Sequence, residues 1–308
     1  MRVGVDLGGT KIEAVVLAEG GRVEVRRRVA TPKNDYDGVL RAISALVADV
    51  ERDAGVPQGR LLPVGIGTPG SLSPDTGLLR NSNSVVLNGR PFDRDITDAL
   101  GREVRVANDA NCFALAEAKS GAGQGAEIVF GVILGTGVGA GIVARGELVI
   151  GRNAVGGEWG HNPLPGMLPA ELPGPECYCG RRGCVEAWCA GPALAAQYSK
   201  AGGDAVGAAE IAKRAGDGEA LARTVLQSHA RHVANALSAV VNILDPDVIV
   251  LGGGLCHLDH LYTDLPELMR PMVFSDSFQT PIRKAELGDS AGVVGAAWLW
   301  PDPDPARK

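Results

Sequence analysis

Apolar residues recur at alternate positions through Val3-Gly4-Val5-Asp6-Leu7, and a second apolar run follows from Ile12 to Leu17. This period of two predicts strands at 3–7, 12–18 and 22–29. The period then lengthens. Val39, Ile43, Leu46, Val47 and Val50 share one face of a helix, which Gly55 ends and Pro57 keeps from resuming. A buried strand is expected at 62–67, a turn at Ser73-Pro74-Asp75-Thr76-Gly77, a helix at 93–100, a strand at 103–107 and a helix at 110–119. The order is βββαβαβα.

From there the order starts again. Strands are expected near 128–134, 140–144 and 147–150, and helices from about 186, including a long one at 217–243. Val248-Ile249-Val250-Leu251 is a strand closed by Gly252-Gly253-Gly254, followed by a helix (259–270), a strand (281–286) and a final helix (291–300). Residues 151–184 interrupt the pattern and are rich in Gly, Pro and Cys; structureless stretches of that length are usually functional. The repetition predicts two duplicated domains with a ligand cleft between them. Residues 1–119 plus 290–308 form a small domain on this reading, and 120–289 a large one. The crossings fall near 119–126 and 288–292.

Two glycine clusters follow apolar runs and precede further strands: Asp6-Leu7-Gly8-Gly9-Thr10-Lys11 and Leu134-Gly135-Thr136-Gly137-Val138-Gly139. Each reads as a hairpin turn with exposed N–H groups, which together form an anion-binding concavity. A Walker loop differs, since it needs a helix after it and a Gly-Lys-Ser/Thr ending. Two such turns can hold the two ends of a triphosphate, with Asp6 placed to hold Mg²⁺ through water. Two ordinary glycine turns are the plainer alternative. Asn108-Asp109 ends a strand and opens a helix. A carboxylate there points into the crevice of an α/β sheet and can accept a hydroxyl proton. Either residue can equally cap the helix.

Glu158-Trp159-Gly160-His161 and Cys177-Tyr178-Cys179-Gly180 … Gly183-Cys184-Val185-Glu186 offer His161, Cys177, Cys179 and Cys184 as a donor set for structural zinc, at a spacing unlike a zinc finger's; surface thiols without metal are the plainer alternative. Such a site would fix a loop carrying Glu158, His161 and Glu186, side chains suited to the hydroxyls of a small polar substrate. Cys112 and Cys189 fit helical packing instead. Cys256, His257 and His260 lack a nearby fourth ligand.

Composition narrows the function. The chain has 308 residues, 45% hydrophobic and 21% charged, with a formal net charge of −6. That size fits about two domains, and the acidic balance argues against a nucleic-acid partner. Arg26-Arg27-Arg28 lies in strand-like alternation as a solvated face. No run of about 18 apolar residues predicts a membrane span. The first strand begins directly after Met1-Arg2, so no signal peptide is expected and the location reads as cytoplasmic.

Taken in order, these motifs resemble the ROK sugar kinases of the actin-like ATPase superfamily, over roughly residues 3 to 300. The resemblance implies the actin-like (ribonuclease H-like) α/β fold and an ATP-dependent hexose kinase. Asp6, Gly8, Gly9, Thr10 and Lys11 correspond to a first phosphate motif. Gly135, Thr136, Gly137 and Gly139 correspond to a second, and Gly252, Gly253 and Gly254 to an adenosine motif. Asp109 corresponds to the catalytic base, and His161, Cys177, Cys179 and Cys184 to a zinc set. The implied sugar contacts are Gly67, Asn83, Asn108, Asp109, Glu158, His161 and Glu186. ATP, Mg²⁺ and a structural Zn²⁺ follow, as does a homodimer. Asn81-Ser82-Asn83-Ser84, Leu87-Asn88-Gly89-Arg90-Pro91-Phe92-Asp93, Glu158 to Pro165 and the tail Gly295 to Trp300 look most like fructokinases of the mannofructokinase type. That implies D-fructose, with N-acetylglucosamine or glucose as the alternative. The DNA-binding regulators of the same family need an added helix-turn-helix, which an acidic chain opening on its first strand does not suggest.

Overall fold

The computed structural model describes residues 1–302. Strands β1 (Arg2–Leu7), β2 (Lys11–Leu17) and β3 (Val23–Ala30) open the chain, and helix α1 (Tyr36–Asp53) follows. Asp35 caps α1 by accepting the Gly38 N–H at 2.8 Å, and its Val39, Ile43, Leu46, Val47 and Val50 face is buried. Then come β4 (Val64–Thr68), the small pair β5 (Ser71–Leu72) and β6 (Leu79–Arg80), α2 (Phe92–Leu100), β7 (Val104–Asn108) and α3 (Asp109–Ser120). The first sheet has the order β3-β2-β1-β4-β7, with β4 and β7 parallel to β1. Asp6, Gly67 and Ala107 stand in register across its three parallel strands.

The second sheet repeats the plan. Its strands β8 (Ile128–Leu134), β9 (Val138–Ala144), β10 (Glu147–Leu148), β11 (Val248–Gly252) and β12 (Ile282–Lys284) lie in the order β10-β9-β8-β11-β12. Helices α4 (Val185–Cys189), α5 (Gly191–Lys200), α6 (Ala208–Gly216) and α7 (Ala220–Leu244) precede β11; α8 (His260–Met269) and α9 (Ala291–Trp298) flank β12. Both halves thus carry an antiparallel trio extended by two parallel strands, which is the duplicated actin-like arrangement.

Three details depart from the sequence pattern. Strand β10 stops at Leu148 rather than at 150 because Gly151, in a left-handed conformation at φ 76°, turns the chain away. The helical stretch from 186 divides into three before α7, broken at Ala190-Gly191-Pro192 and Gly202-Gly203. Strand β12 keeps only three of its six expected residues.

Helices α3 and α9 fill the space between the sheets. Helix α3 lies against β8 and β9, α9 lies against β1 and β4, and the two pack on each other. Their shared core includes Val15, Phe113, Val129, Val250, Val294 and Trp298. Gly295 makes the close approach possible, since a Cβ there would strike the Cys112 carbonyl.

The chain crosses between sheets twice, after α3 and before α9, and Glu117 meets both crossings. Its fully buried carboxylate accepts N–H groups from Ala122 at 2.9 Å, Leu287 at 3.0 Å and Glu286 at 3.2 Å. Glu117→Ala leaves those buried donors unpaired and is expected to lower stability by on the order of 3 kcal/mol, read by urea unfolding. An unchanged midpoint would contradict this anchoring.

Candidate active site

The first glycine turn joins β1 to β2. Gly8 donates its N–H to Lys11 O at 3.0 Å. Thr31, just past β3, braces the turn through its hydroxyl to Gly8 O (2.7 Å) and its N–H to Thr10 O (3.1 Å). Gly9 faces Ser84, whose hydroxyl would lie 3.6 Å from a Cβ there. Asp6 enters the turn from β1. Burial pushes its carboxyl up to about 6, and the nearby Asp109 charge adds to the shift.

Asp109 opens α3 at the carboxyl end of β7, one residue past the strand. Asn108 performs the cap: its Oδ1 accepts the Ala110 N–H at 2.9 Å and its Nδ2 donates to Gly70 O at 3.1 Å. Asp109 shares that N–H through its own Oδ1 at 2.9 Å. The side chain faces an open cleft that water reaches, yet the protein surrounding it raises its carboxyl above the ordinary range, and the Glu158 charge raises it further. Such a group is poised to take a proton. Beneath it, Cys112 packs fully buried against Gly67.

The second glycine turn joins β8 to β9 and returns toward Asp109: a Cβ on Gly139 would lie 3.3 Å from that of Ala110. Gly135 approaches Gly254 N, and the Gly191 N–H at the start of α5 donates to Gly135 O at 2.8 Å. Gly253 must be glycine, since its φ is 77° and a Cβ would run into Leu134 O. Beyond this turn, His257, Leu258, Asp259 and His260 meet α6 and α7 in a cavity of about 420 Å³, also lined by Arg223 and Gln227. Sequence reasoning missed this cavity, because α6 and α7 carry only ordinary helical signals there.

The irregular segment forms the third wall. His161 Nδ1 lies 3.6 Å from Cys177 Sγ, and Cys179 Sγ lies 3.6 Å from Cys184 Sγ. One donor atom from each of the four falls within 4.8 Å of every other. Tetrahedral zinc, with Zn–S of about 2.3 Å and Zn–N of about 2.05 Å, sets donors roughly 3.6–3.8 Å apart. The four residues therefore fit that ion. His161 Nε2 meets the Tyr178 hydroxyl at 2.9 Å, a partner the sequence did not suggest.

The fold thus brings Asp6 and Glu158 within electrostatic reach of Asp109, and Glu186 onto the second turn at Val138. Asn83 lies exposed on the loop after β6, next to Ser84, which faces Gly9. Arg80, its near neighbour, reaches across to the Asn153 carbonyl at 3.2 Å.

The sequence model of the ROK family matches residues 2–303. The N-acetyl-D-glucosamine kinase of Pectobacterium atrosepticum is 38% identical over 304 residues, covering 97% of this chain and 98% of that one. A ROK hexokinase structure from Thermus thermophilus is 37% identical, with a TM-score of 0.85 and 96% coverage of both chains. A ROK glucokinase from Streptomyces griseus, solved with glucose and AMPPNP, is 30% identical, with a TM-score of 0.74 and coverage of 97% and 98%. None of these three relatives is named a fructokinase, the sugar read from residues 81–93 and 158–165; one or two hydroxyl contacts can separate hexoses. By fold, motif order and full-length similarity, the chain belongs to the ROK family.

Proposed function

We propose that the protein is an ATP-dependent hexose kinase whose substrate is N-acetyl-D-glucosamine, phosphorylated at the 6-hydroxyl. The observation that carries the reaction class is the position of Asp109, at a parallel strand's carboxyl end between Asp6 and the second glycine turn. The similarity to N-acetyl-D-glucosamine kinases over the whole chain supports the sugar. A second reading, glucose, is supported by the similarity to the Streptomyces griseus glucokinase.

On this reading the N–H groups of residues 8–11 and 135–139 hold the phosphates, and Asp6 holds Mg²⁺ through water. The adenosine lies against Gly252, Gly253 and Gly254, with its base in the cavity of about 420 Å³ that the chain enters at His257. Asn108, Asp109, Glu158, His161 and Glu186 hold sugar hydroxyls. Asp109 accepts the 6-hydroxyl proton as the γ-phosphoryl group transfers to that oxygen. His161, Cys177, Cys179 and Cys184 hold a structural zinc, which ties down the loop carrying the sugar contacts. Residues 1–119 with 290–308 close on 120–289 around the sugar and exclude water that would hydrolyse ATP; of these, 303–308 lie outside the described residues. The homodimer implied by the resemblance belongs to the same reading, as does a cytoplasmic location.

A coupled ADP-release assay with N-acetylglucosamine, glucose, mannose and fructose tests it. ADP should appear only when a hexose is present, with the highest kcat/KM for N-acetylglucosamine. Equal ADP release without sugar would overturn the kinase reading, and a preference for fructose would restore the fructokinase one.

A further inference from the structure

Glu186 stands where two parts of the cleft meet. It lies in the first turn of α4, after Cys184, the N-cap, whose thiol lies 3.5 Å from the His161 carbonyl, and Val185, whose N–H donates to Asn162 O at 2.9 Å. One carboxylate oxygen, Oε2, accepts the Val138 N–H at 2.9 Å. Val138 is the first residue of β9 and closes the second glycine turn. A Cβ on Gly137 would fall 2.7 Å from the same oxygen. The turn itself is Gly-Thr-Gly, with little side-chain bulk to hold it in shape, and glycine loses more freedom on ordering than any other residue. A hydrogen bond donated to a carboxylate on a short, anchored helix supplies that order.

We propose that Glu186 is a positioning residue that couples the sugar site to the second glycine turn. Oε2 holds the turn in its phosphate-receiving shape, while Oε1 is the oxygen left for a sugar hydroxyl. Whatever orders the carboxylate from one side orders the other. Coupling of this kind is reciprocal: hexose tightens nucleotide binding by the same factor by which nucleotide tightens hexose binding. The proposal rests on the hexose kinase reading for its ligands. Its hydrogen bond to Val138 stands independently of that reading.

Two variants approach the carboxylate from opposite sides, and calorimetry reads both. Glu186→Ala is expected to weaken ADP binding in the absence of sugar by about tenfold. It should also bring the hexose–ADP coupling factor down to one, from a wild-type factor of at least roughly five. Gly137→Ala keeps an ordinary backbone conformation, since Gly137 is not among the residues with positive φ. Its methyl group displaces Glu186 from the turn side. Hexose binding measured without nucleotide is then expected to weaken at least about fivefold, though residue 137 is not a proposed sugar contact. Circular dichroism checks that each variant folds. Wild-type hexose affinity in Gly137→Ala would overturn the proposal, as would unchanged sugar-free ADP affinity in Glu186→Ala. Failure of the kinase reading looks different: the wild-type protein would then bind no hexose in the same calorimeter.

Discussion

Asp109→Asn is expected to lower kcat by roughly a hundred- to ten-thousand-fold, the usual contribution of a positioned general base. The asparagine keeps the Oδ1 acceptor for the Ala110 N–H, so α3 should start as before. Hexose affinity should change far less than kcat, because the lost interaction is made as the proton moves. The pH profile provides a second readout. Asp109 must be ionised to accept a proton, and its surroundings raise its carboxyl above the ordinary range. Activity should therefore fall on the acid side with a midpoint above that of a free aspartate. Asp6, at about 6 and electrostatically linked to Asp109, shares that limb, so the fall belongs to the pair. The stability sign runs the other way. A carboxyl whose folded pKa is raised favours folding when protonated, and that contribution is lost as pH rises through the raised value. Removing the charge at pH 7 should thus raise the ligand-free melting temperature of Asp109→Asn slightly, the open cleft screening the effect. Near-wild-type turnover in this variant would end the assignment of Asp109 as base.

Cys179→Ser carries the second large effect. Metal analysis of the wild-type protein is expected to find a single zinc ion per chain, and the variant should lose it. Serine is a poor zinc ligand, and three remaining donors leave the ion open to exchange. The loop from His161 to Glu186 then has no common anchor. Hexose KM should rise at least roughly tenfold, with a lower melting temperature that added zinc does not restore. Wild-type protein purified without zinc and still fully active would contradict the role given to these four residues. Zinc content is read by elemental analysis and does not depend on the activity assay.

Much of this architecture could be read locally. Both glycine turns sit between runs of β-branched residues, and the α1 face from Val39 to Val50 follows helical spacing. The signals and the structure are both local, so they agree. The cysteine cluster was legible because donor type and spacing carry the information. Other features depend on partners distant in sequence. Glu117 sits in an ordinary helical stretch, Ala116-Glu117-Ala118-Lys119, yet Glu286 and Leu287 complete its hydrogen bonds. Val138 belongs to a hairpin, and nothing in the hairpin names Glu186 as the acceptor of its N–H. The cavity beyond His257 arises where α6 and α7 meet the chain leaving β11, a meeting set by tertiary packing. The fructokinase likeness was a weak guide to the sugar for a related reason. Frame residues shared by relatives outnumber the few contacts that tell one hexose from another.

The carboxylate of Glu117 has a mechanical consequence. Both strands of chain that link the sheets are clasped at one point, and α3 extends from that clasp to Asp109 like a spoke. Eight residues of helix make the spoke about 12 Å long. A swing of one sheet against the other, as the proposed closure requires, would pivot near that hub, where displacements are smallest. At the rim, a swing of roughly 10° carries Asp109 about 2 Å, from the length of the same spoke. On the kinase reading, such a movement would leave the core undisturbed yet make or break contact between the carboxylate and a sugar hydroxyl.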